Sequence, residues 1–424
     1  MGFQQGLSGL NAASKNLDVI GHNIANSGTV GFKASRTEFA NMVASAMGLA
    51  QGNNNGIGVQ VDAIAQQFTQ GGITLTGNSL DVAINGNGFF QIQQPDGSMA
   101  YSRAGNFKLD KDGNVLTNNN GRLMGYPVDP VSGKALTGTV QPLNFPLGTP
   151  IAAKETTEAK ISLNLDARVP DATSTTPPTP RSTYGTSITV YDSQGVAHQA
   201  DLYFVKNGAN TWDVYNQLDD PTATPPVTAT SIATVEFDAD GNITAPAATA
   251  PKTGFGFDFT FPTSATPGPN PNAPDPDPPT LYIDVSGFTQ FGTKFAVSET
   301  TQDGYTSGQL TGMNIGPDGT ITTTYSNGVS RPEGVIALAT FRNTQGLADV
   351  GNNLWVETAS SGQPTVGQPT SGAFGALRAG ALEESNVDLT AELVNMMTAQ
   401  RAYQANAQTI KTQDQVMSTI VNLR

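Results

Sequence analysis

Near the start of the chain, apolar residues recur three, four or seven positions apart: Phe3, Leu7, Leu10, Leu17, Ile20 and Ile24, with Ala13 filling the one gap. That spacing predicts an amphipathic helix, because a strand would alternate with a period of two. The stripe stops at "NSGTVG", where Gly28 is placed to take a left-handed conformation and close the helix.

The far end repeats the habit over a longer run. Leu389, Met396, Tyr403, Ile410 and Met417 stand seven apart, and Leu393, Ala399, Ala407, Ile420 and Val421 widen the seam. A sustained seven-residue repeat predicts coiled-coil packing. "ESNVDL" marks the start: Ser385 or Asn386 can cap, and Asp388 in the first turn suits the positive end of the helix dipole. A helix over 386–424 would be about 58 Å long, and its other faces carry Gln, Asn, Thr and Ala with few charges. An ordinary amphipathic helix on a globular core shares the periodicity but neither that length nor that uncharged back. Five buried seam side chains contribute on the order of 8–15 kcal/mol. Ordering the backbone costs roughly 1–2 kcal/mol per residue, and the shorter N-terminal helix cannot cover the seam alone. Both ends are expected to order fully only when neighbouring molecules supply the missing surface.

Between the ends the period changes. "SLDVAINGNGFFQIQQPDG" and "SRAGNFKLDKDGNVLT" read as strand, turn, strand, and Asp96-Gly97, Asp112-Gly113, Asp240-Gly241 and Asp318-Gly319 each lie between apolar runs as hairpin turns do. "YGTSITVYDSQGVAHQADLYFVKNGANTWDVYNQL" alternates as a strand pair with a small core of Val190, Tyr203 and Trp212. "TSTTPPTPRS" and "FPTSATPGPNPNAPDPDPPT" cannot hold regular structure, since proline removes ladder donors, and read as surface loops.

Composition narrows the class. With 46 Gly, 27 Pro and only 13% charged residues in 424, short strands joined by tight turns are expected, in two to four domains. The net charge of −14 disfavours nucleic acid and anionic membrane surfaces, which call for Lys and Arg. Residues 1–40 and 380–424 carry only +1 and −2, as near-neutral surfaces that pack against copies of themselves should. No apolar run reaches 18 residues, so no membrane insertion is expected, and the N-terminus lacks the basic start and apolar block of a cleaved signal peptide.

Candidate chemistry is thin. Without cysteine there is no disulfide, thiolate metal site or cysteine nucleophile. The two histidines, His22 and His198, fall in unrelated elements. "DKDGNV" and "DADGN" lack the sixth-position glycine and twelfth-position glutamate of a calcium loop and read as hairpin turns. No catalytic residue, metal or cofactor is expected.

"ANSGTVGFK", comprising Ala25, Asn26, Thr29, Gly31, Phe32 and Lys33 within Ala25 to Lys33, resembles the A-N-x-x-T-x-G-F-K signature of the bacterial flagellar rod and hook axial proteins. The stretch from Ser385, Asn386, Val387 and Asp388 to the end resembles their C-terminal segment, and that of the hook members in particular. "YSRAGNFKLDKDGNVLTNNNGRLMGY" and "DGYTSGQLTGMNIGPDGTITTTYSNG" resemble the two halves of their inner β-domain.

The resemblance implies a mainly β, discontinuous multidomain subunit with α-helical coiled-coil termini. Its paired N- and C-terminal helices (1–26 and 386–424) line an inner tube. Linkers (27–74 and 378–385) lead to an inner β-rich domain (75–146 and 300–377), into which an outer β-rich domain (147–299) is inserted.

It further implies a structural subunit of the flagellar hook, outside the cell, that polymerises helically with itself and carries torque from rod to filament. Implied partners are a distal rod protein and a hook–filament junction protein at the two ends, a hook cap protein during assembly, and the flagellar type III export apparatus, with no cleaved signal peptide. Another axial protein, a distal rod or junction subunit, shares the terminal motifs. A secreted β-rich adhesin with a helical stalk is the alternative from a different class.

Overall fold

The computed structural model describes residues 2–43, 56–129, 135–136, 138–145, 150–172, 183–218, 229–248, 252–261 and 281–422. Both proline-rich runs, 173–182 and 262–280, lie outside the described residues. The terminal stripes form helices α1 (Gly2–Ala25) and α2 (Leu389–Asn422). A hairpin of β1 (Ser35–Val43) and β2 (Gly56–Gln66) follows α1. Among the described residues the remaining regular structure is mostly strand, with a turn of 3-10 helix at Thr344–Gly346.

Two compact units emerge. The first comprises Met1–Gly148, Gly312–Thr324 and Ser330–Arg424; the second comprises Thr149–Thr311 and Tyr325–Val329.

The main sheet of the first unit runs Leu310–Ile315, Thr320–Tyr325, Ser330–Ile336, Arg122–Pro127, Phe89–Gln93, Met99–Ser102, Leu354–Val356 and Ala348–Gly351. Neighbours in this sheet can come from distant sequence, as Leu354 opposite Ser102 shows. Successive strand residues face opposite sides, and Phe89 and Phe90 show the consequence. Phe90 enters a cluster with Ile92, Phe107, Phe145 and Ile336, while Phe89 enters another with Tyr101, Phe341 and Trp355. The sheet is therefore covered on both faces. Its hairpins turn at Gly97, Gly113 and Gly319, each with φ between 80° and 88°, the left-handed backbone that glycine adopts without steric cost. Two small ladders, Ile73–Leu75 with Ala381–Glu383 and Val82–Asn85 with Ala376–Ala379, pair outgoing chain with returning chain.

Tyr101 is 1% exposed, with its ring edge-on to Phe341. Burial, and to a lesser degree the Glu357 carboxylate, push its phenol up to about 12. Between pH 10 and 12 the unfolded chain therefore releases a proton that the folded one retains, so stability falls as pH rises through that window. The loss attributable to this one group is at most about 2–3 kcal/mol. Denaturant titrations at pH 9, 10 and 11 should show the midpoint dropping, with a shallower drop for Tyr101→Phe.

The second unit is a sandwich. One sheet orders Gly256–Phe259, Leu281–Thr289, Glu158–Asn164 and Ala296–Gln302, and the other orders Tyr184–Tyr191, Ala197–Gly208, Thr211–Tyr215, Ser231–Phe237 and Ile243–Ala245. The stretch read as a strand pair supplies three strands. Its core is also larger than Val190, Tyr203 and Trp212. Val190 and Trp212 are fully buried, but Tyr203 is only half-buried, and Leu202 and Phe204 on either side of it point inward. Phe259, Ile283 and Phe288 come from the facing sheet, whose strands are remote in sequence and could not be counted locally. The sequence-read boundary at 299 falls inside Ala296–Gln302, which pairs with Glu158–Asn164. The "DADGN" stretch is a turn: Asp238 Oδ1 accepts hydrogen bonds from the backbone N–H groups of Asp240 and Asn242.

Candidate assembly surface and its anchor

Helices α1 and α2 lie antiparallel. Asn23 near the end of α1 donates to Glu392 Oε1 at 3.3 Å, while Gly6 near its start lies against Ile410. Small residues let the helices approach closely. A Cβ at Gly9 would stand 2.9 Å from the Asn406 amide, and one at Gly6 would stand 3.1 Å from Ile410. The 24 residues of α1 span about 36 Å and the 34 of α2 about 51 Å, so the two cannot match end to end. On its other side α1 is held by the hairpin. Asn23, 1% exposed, exchanges hydrogen bonds with the Ser35 backbone (2.8 and 2.9 Å), and Ser8 Oγ accepts from Val59 N–H.

This arrangement divides the predicted seam. Ile20 is buried, Leu10, Leu17 and Ile24 are half-buried, and Leu7 is exposed. On α2, Met396 and Ile410 are half-buried, whereas Leu389, Leu393, Tyr403 and Met417 are exposed, with Met417 at 62%. Ile420 and Val421 lie outside the residues whose side chains are described. Val394, Met397 and Val416 are also exposed. Apart from the side against α1, α2 thus carries apolar residues that nothing in the single described chain covers.

The signature residues have another task, which is to tie both helices to the first unit. Asn26 Nδ2 donates to His22 O and Thr29 Oγ1 donates to Asn26 Oδ1, closing the turn after Ala25. The left-handed glycine here is Gly31 (φ 70°), not Gly28. Gly31 donates its N–H to Glu383 O at 2.8 Å and abuts the Arg103–Ala104 backbone. Phe32 is buried with its ring against His22.

Lys33 carries the largest surprise. Its Nζ meets Glu383 Oε1 at 2.6 Å and donates to Thr69 O at 2.7 Å, and both side chains of the ion pair are wholly buried. Arg103 reaches the other carboxylate oxygen at 3.2 Å while lying over the Phe89 ring, and Gly71 N–H adds a third donor to the Glu383 carboxylate. Burial pushes the Lys33 ammonium below its ordinary value; Glu383 pulls it back and Arg103 adds to the fall. Burial likewise lowers Arg103.

At the entry to α2, Asn386 bridges strands rather than capping. Its Oδ1 accepts from Ala34 N–H, and its Nδ2 donates to Gln67 O and Thr69 Oγ1. Ser385 Oγ accepts only from Val387 N–H, and Val387 is half-buried. The cap is Asp388, whose Oδ1 accepts from Thr390 and Ala391 N–H, because the helix begins at Leu389 and not at 386.

Sequence reading missed Glu383, Arg103 and Asn23. Lys33 stood visibly alone among apolar and small neighbours, but partners 350 and 70 positions away leave no local mark. Among the described residues no three His, Asp or Glu side chains converge as metal ligands, and no helix is long and apolar enough to cross a membrane.

Comparison with known proteins covers the chain nearly end to end. The family model for flagella basal body rod protein matches residues 3–33, and the flagellar hook protein FlgE/F/G D1 domain matches 83–169. The flagellar basal body protein FlaE D2 domain matches 164–305, and the flagellar basal body rod FlgEFG protein C-terminal model matches 378–423. The chain is 43% identical to the flagellar hook protein FlgE of Escherichia coli (strain K12), covering 100% of each. It is 33% identical to that of Treponema pallidum (strain Nichols), covering 99% of this chain and 98% of the relative. Its fold is similar to the crystal structure of Helicobacter pylori flagellar hook protein FlgE2, with a TM-score of 0.51 at 17% identity over 73% of this chain and 100% of that one.

Proposed function

The chain belongs to the flagellar hook protein family, and on that premise we propose that it is a structural subunit which polymerises helically, through α1 and α2, into the curved tube between motor rod and filament. The observation that carries this reading is the apolar surface left open on α2: Leu389, Leu393, Tyr403 and Met417 are exposed in the single chain. Contacts between copies that do not close on themselves generate filaments, and firm helical contacts at the axis combined with weak contacts further out would let the tube bend while carrying torque. The subunit works outside the cell, having left through the flagellar type III export apparatus with its N-terminus uncleaved. It meets a distal rod protein at one end of the tube and a hook–filament junction protein at the other, and adds under a hook cap protein. It catalyses nothing.

The test places a charge on the open face. Because Leu393 and Tyr403 are exposed, Leu393→Asp and Tyr403→Asp leave the fold of the single chain intact. Each removes a side chain worth roughly 1.5–3 kcal/mol when buried between copies, which raises the concentration needed for assembly at least about tenfold. Sedimentation and electron microscopy should show polymer for the wild type and none for the variants at the same concentration, with the β-units melting as before. Normal filaments from Tyr403→Asp would refute the reading.

A further inference from the structure

The chain has nine methionines and no cysteine, so its thioethers are the sulfurs open to oxidation. They are not equally placed. Met124 is buried, and Met99, Met313 and Met396 are half-buried. Met397 and Met417, both on α2, are 54% and 62% exposed, against 36% for Met42 on the hairpin; Met1 and Met47 lie outside the described residues. Their positions on α2 set the two apart. Leu389, Leu393 and Met397 stand four apart, which makes them one row along the helix, and all three are exposed. Met417 continues the apolar seam seven residues past Ile410, which packs on Gly6. Seven residues carry the seam about 10 Å further, whereas α1 has four residues before Gly6, about 6 Å. Met417 therefore overhangs the end of α1.

We propose that Met397 and Met417 are oxidation sites of the unassembled subunit, and that their conversion to sulfoxide by hydrogen peroxide keeps copies from joining. The inference rests on the self-assembly reading above and adds a control to it. A lone pair on the thioether sulfur attacks one peroxide oxygen. The S–O bond forms as the O–O bond breaks, and the second oxygen leaves as water. Sulfur gives up two electrons and the peroxide takes them. The reaction asks nothing of the protein but access, which the free chain gives at both positions. Its product puts a polar oxygen where an apolar sulfur stood. Met417 belongs to the surface that copies bury in that reading, and a copy lying on Leu389 and Leu393 lies on Met397, the next residue of their row. Burying the new oxygen in such a contact without a donor opposes association.

The test treats dilute, full-length chain with hydrogen peroxide, removes the excess with catalase, and follows each methionine by peptide mass spectrometry. Met397 and Met417 should gain one oxygen at least about tenfold faster than buried Met124. The oxidised chain should need at least about tenfold more protein to sediment as polymer, with the β-units melting as before. The double variant Met397→Leu, Met417→Leu, close to methionine in volume, is compared with its own untreated sample, and peroxide should shift its assembly by less than about twofold. A second measurement needs no variant: in wild-type polymer both sulfurs should oxidise at least about fivefold more slowly than in the free chain. Four results overturn the inference and leave self-assembly intact: slow oxidation of both in the free chain, unchanged assembly after full conversion, an equal loss in the double variant, or equal rates in polymer and free chain. An untreated wild-type chain that stays monomeric at every concentration instead overturns the self-assembly on which it rests.

Discussion

Glu383→Ala lowers the stability of the first unit by about 3–5 kcal/mol, the cost of stranding buried charge when one partner is removed. Glu383 is fully buried and faces Lys33 at 2.6 Å and Arg103 at 3.2 Å, with Gly71 N–H as a further donor. Alanine leaves two cations in a dry site with no anion and frees three hydrogen-bond donors together. Lys33→Met should cost less, because Arg103 and Glu383 remain as a one-to-one pair. The pH dependence carries an opposite sign from that of Tyr101. The folded-state value of Lys33 lies below its ordinary 10.5, so between those two values the folded chain holds fewer protons than the unfolded one. Stability gained from this group rises as pH rises through that window. Denaturant midpoints of wild type, Glu383→Ala and Lys33→Met check the ranking, and equal losses for the two variants would contradict it.

Gly31→Ala is expected to be comparably damaging, for a geometric reason. Gly31 has φ 70°, and an added Cβ would lie 2.6 Å from Ala104 N and 2.8 Å from the Arg103 carbonyl carbon. A left-handed alanine costs about 1 kcal/mol or more, and relieving contact with backbone, which cannot rotate away, adds roughly 1–3 kcal/mol. The backbone at Arg103, just past the Met99–Ser102 strand, would have to shift, and with it the guanidinium that holds Glu383. The melting temperature of the first unit should fall by about 5 °C or more. Gly28→Ala, with nothing within 4 Å of its Cβ, should change little. That contrast separates the left-handed position from its neighbour.

The two glycines also show where local reading stops. "NSGTVG" announces that a helix ends, but which of its glycines turns left is settled by the approach of the Arg103–Ala104 backbone, which begins 72 residues after Gly31. The cap of α2 behaves likewise. Ser385, Asn386 and Asp388 are all capable, and Asp388 caps because Asn386 is taken by Ala34, Gln67 and Thr69. In the second unit, alternation located the strands around Val190 and Trp212, but half of the core came with the facing sheet built of 158–164, 256–259, 281–289 and 296–302.

What the amino-acid order determined by itself was whatever depends on neighbours within a turn or a pleat: two terminal helices with apolar stripes, hairpins at Asp-Gly pairs, and the absence of cysteine and of long apolar runs. What only the tertiary structure decided was which stripe residues α1 covers and which stay open, and that Lys33, Arg103 and Glu383 share one dry site. The reason is physical. Periodicity and turn preference act through bonds a few residues long. A buried carboxylate instead takes its donors from whatever the fold brings within 3 Å, and nothing in the spacing of 33, 103 and 383 records that meeting.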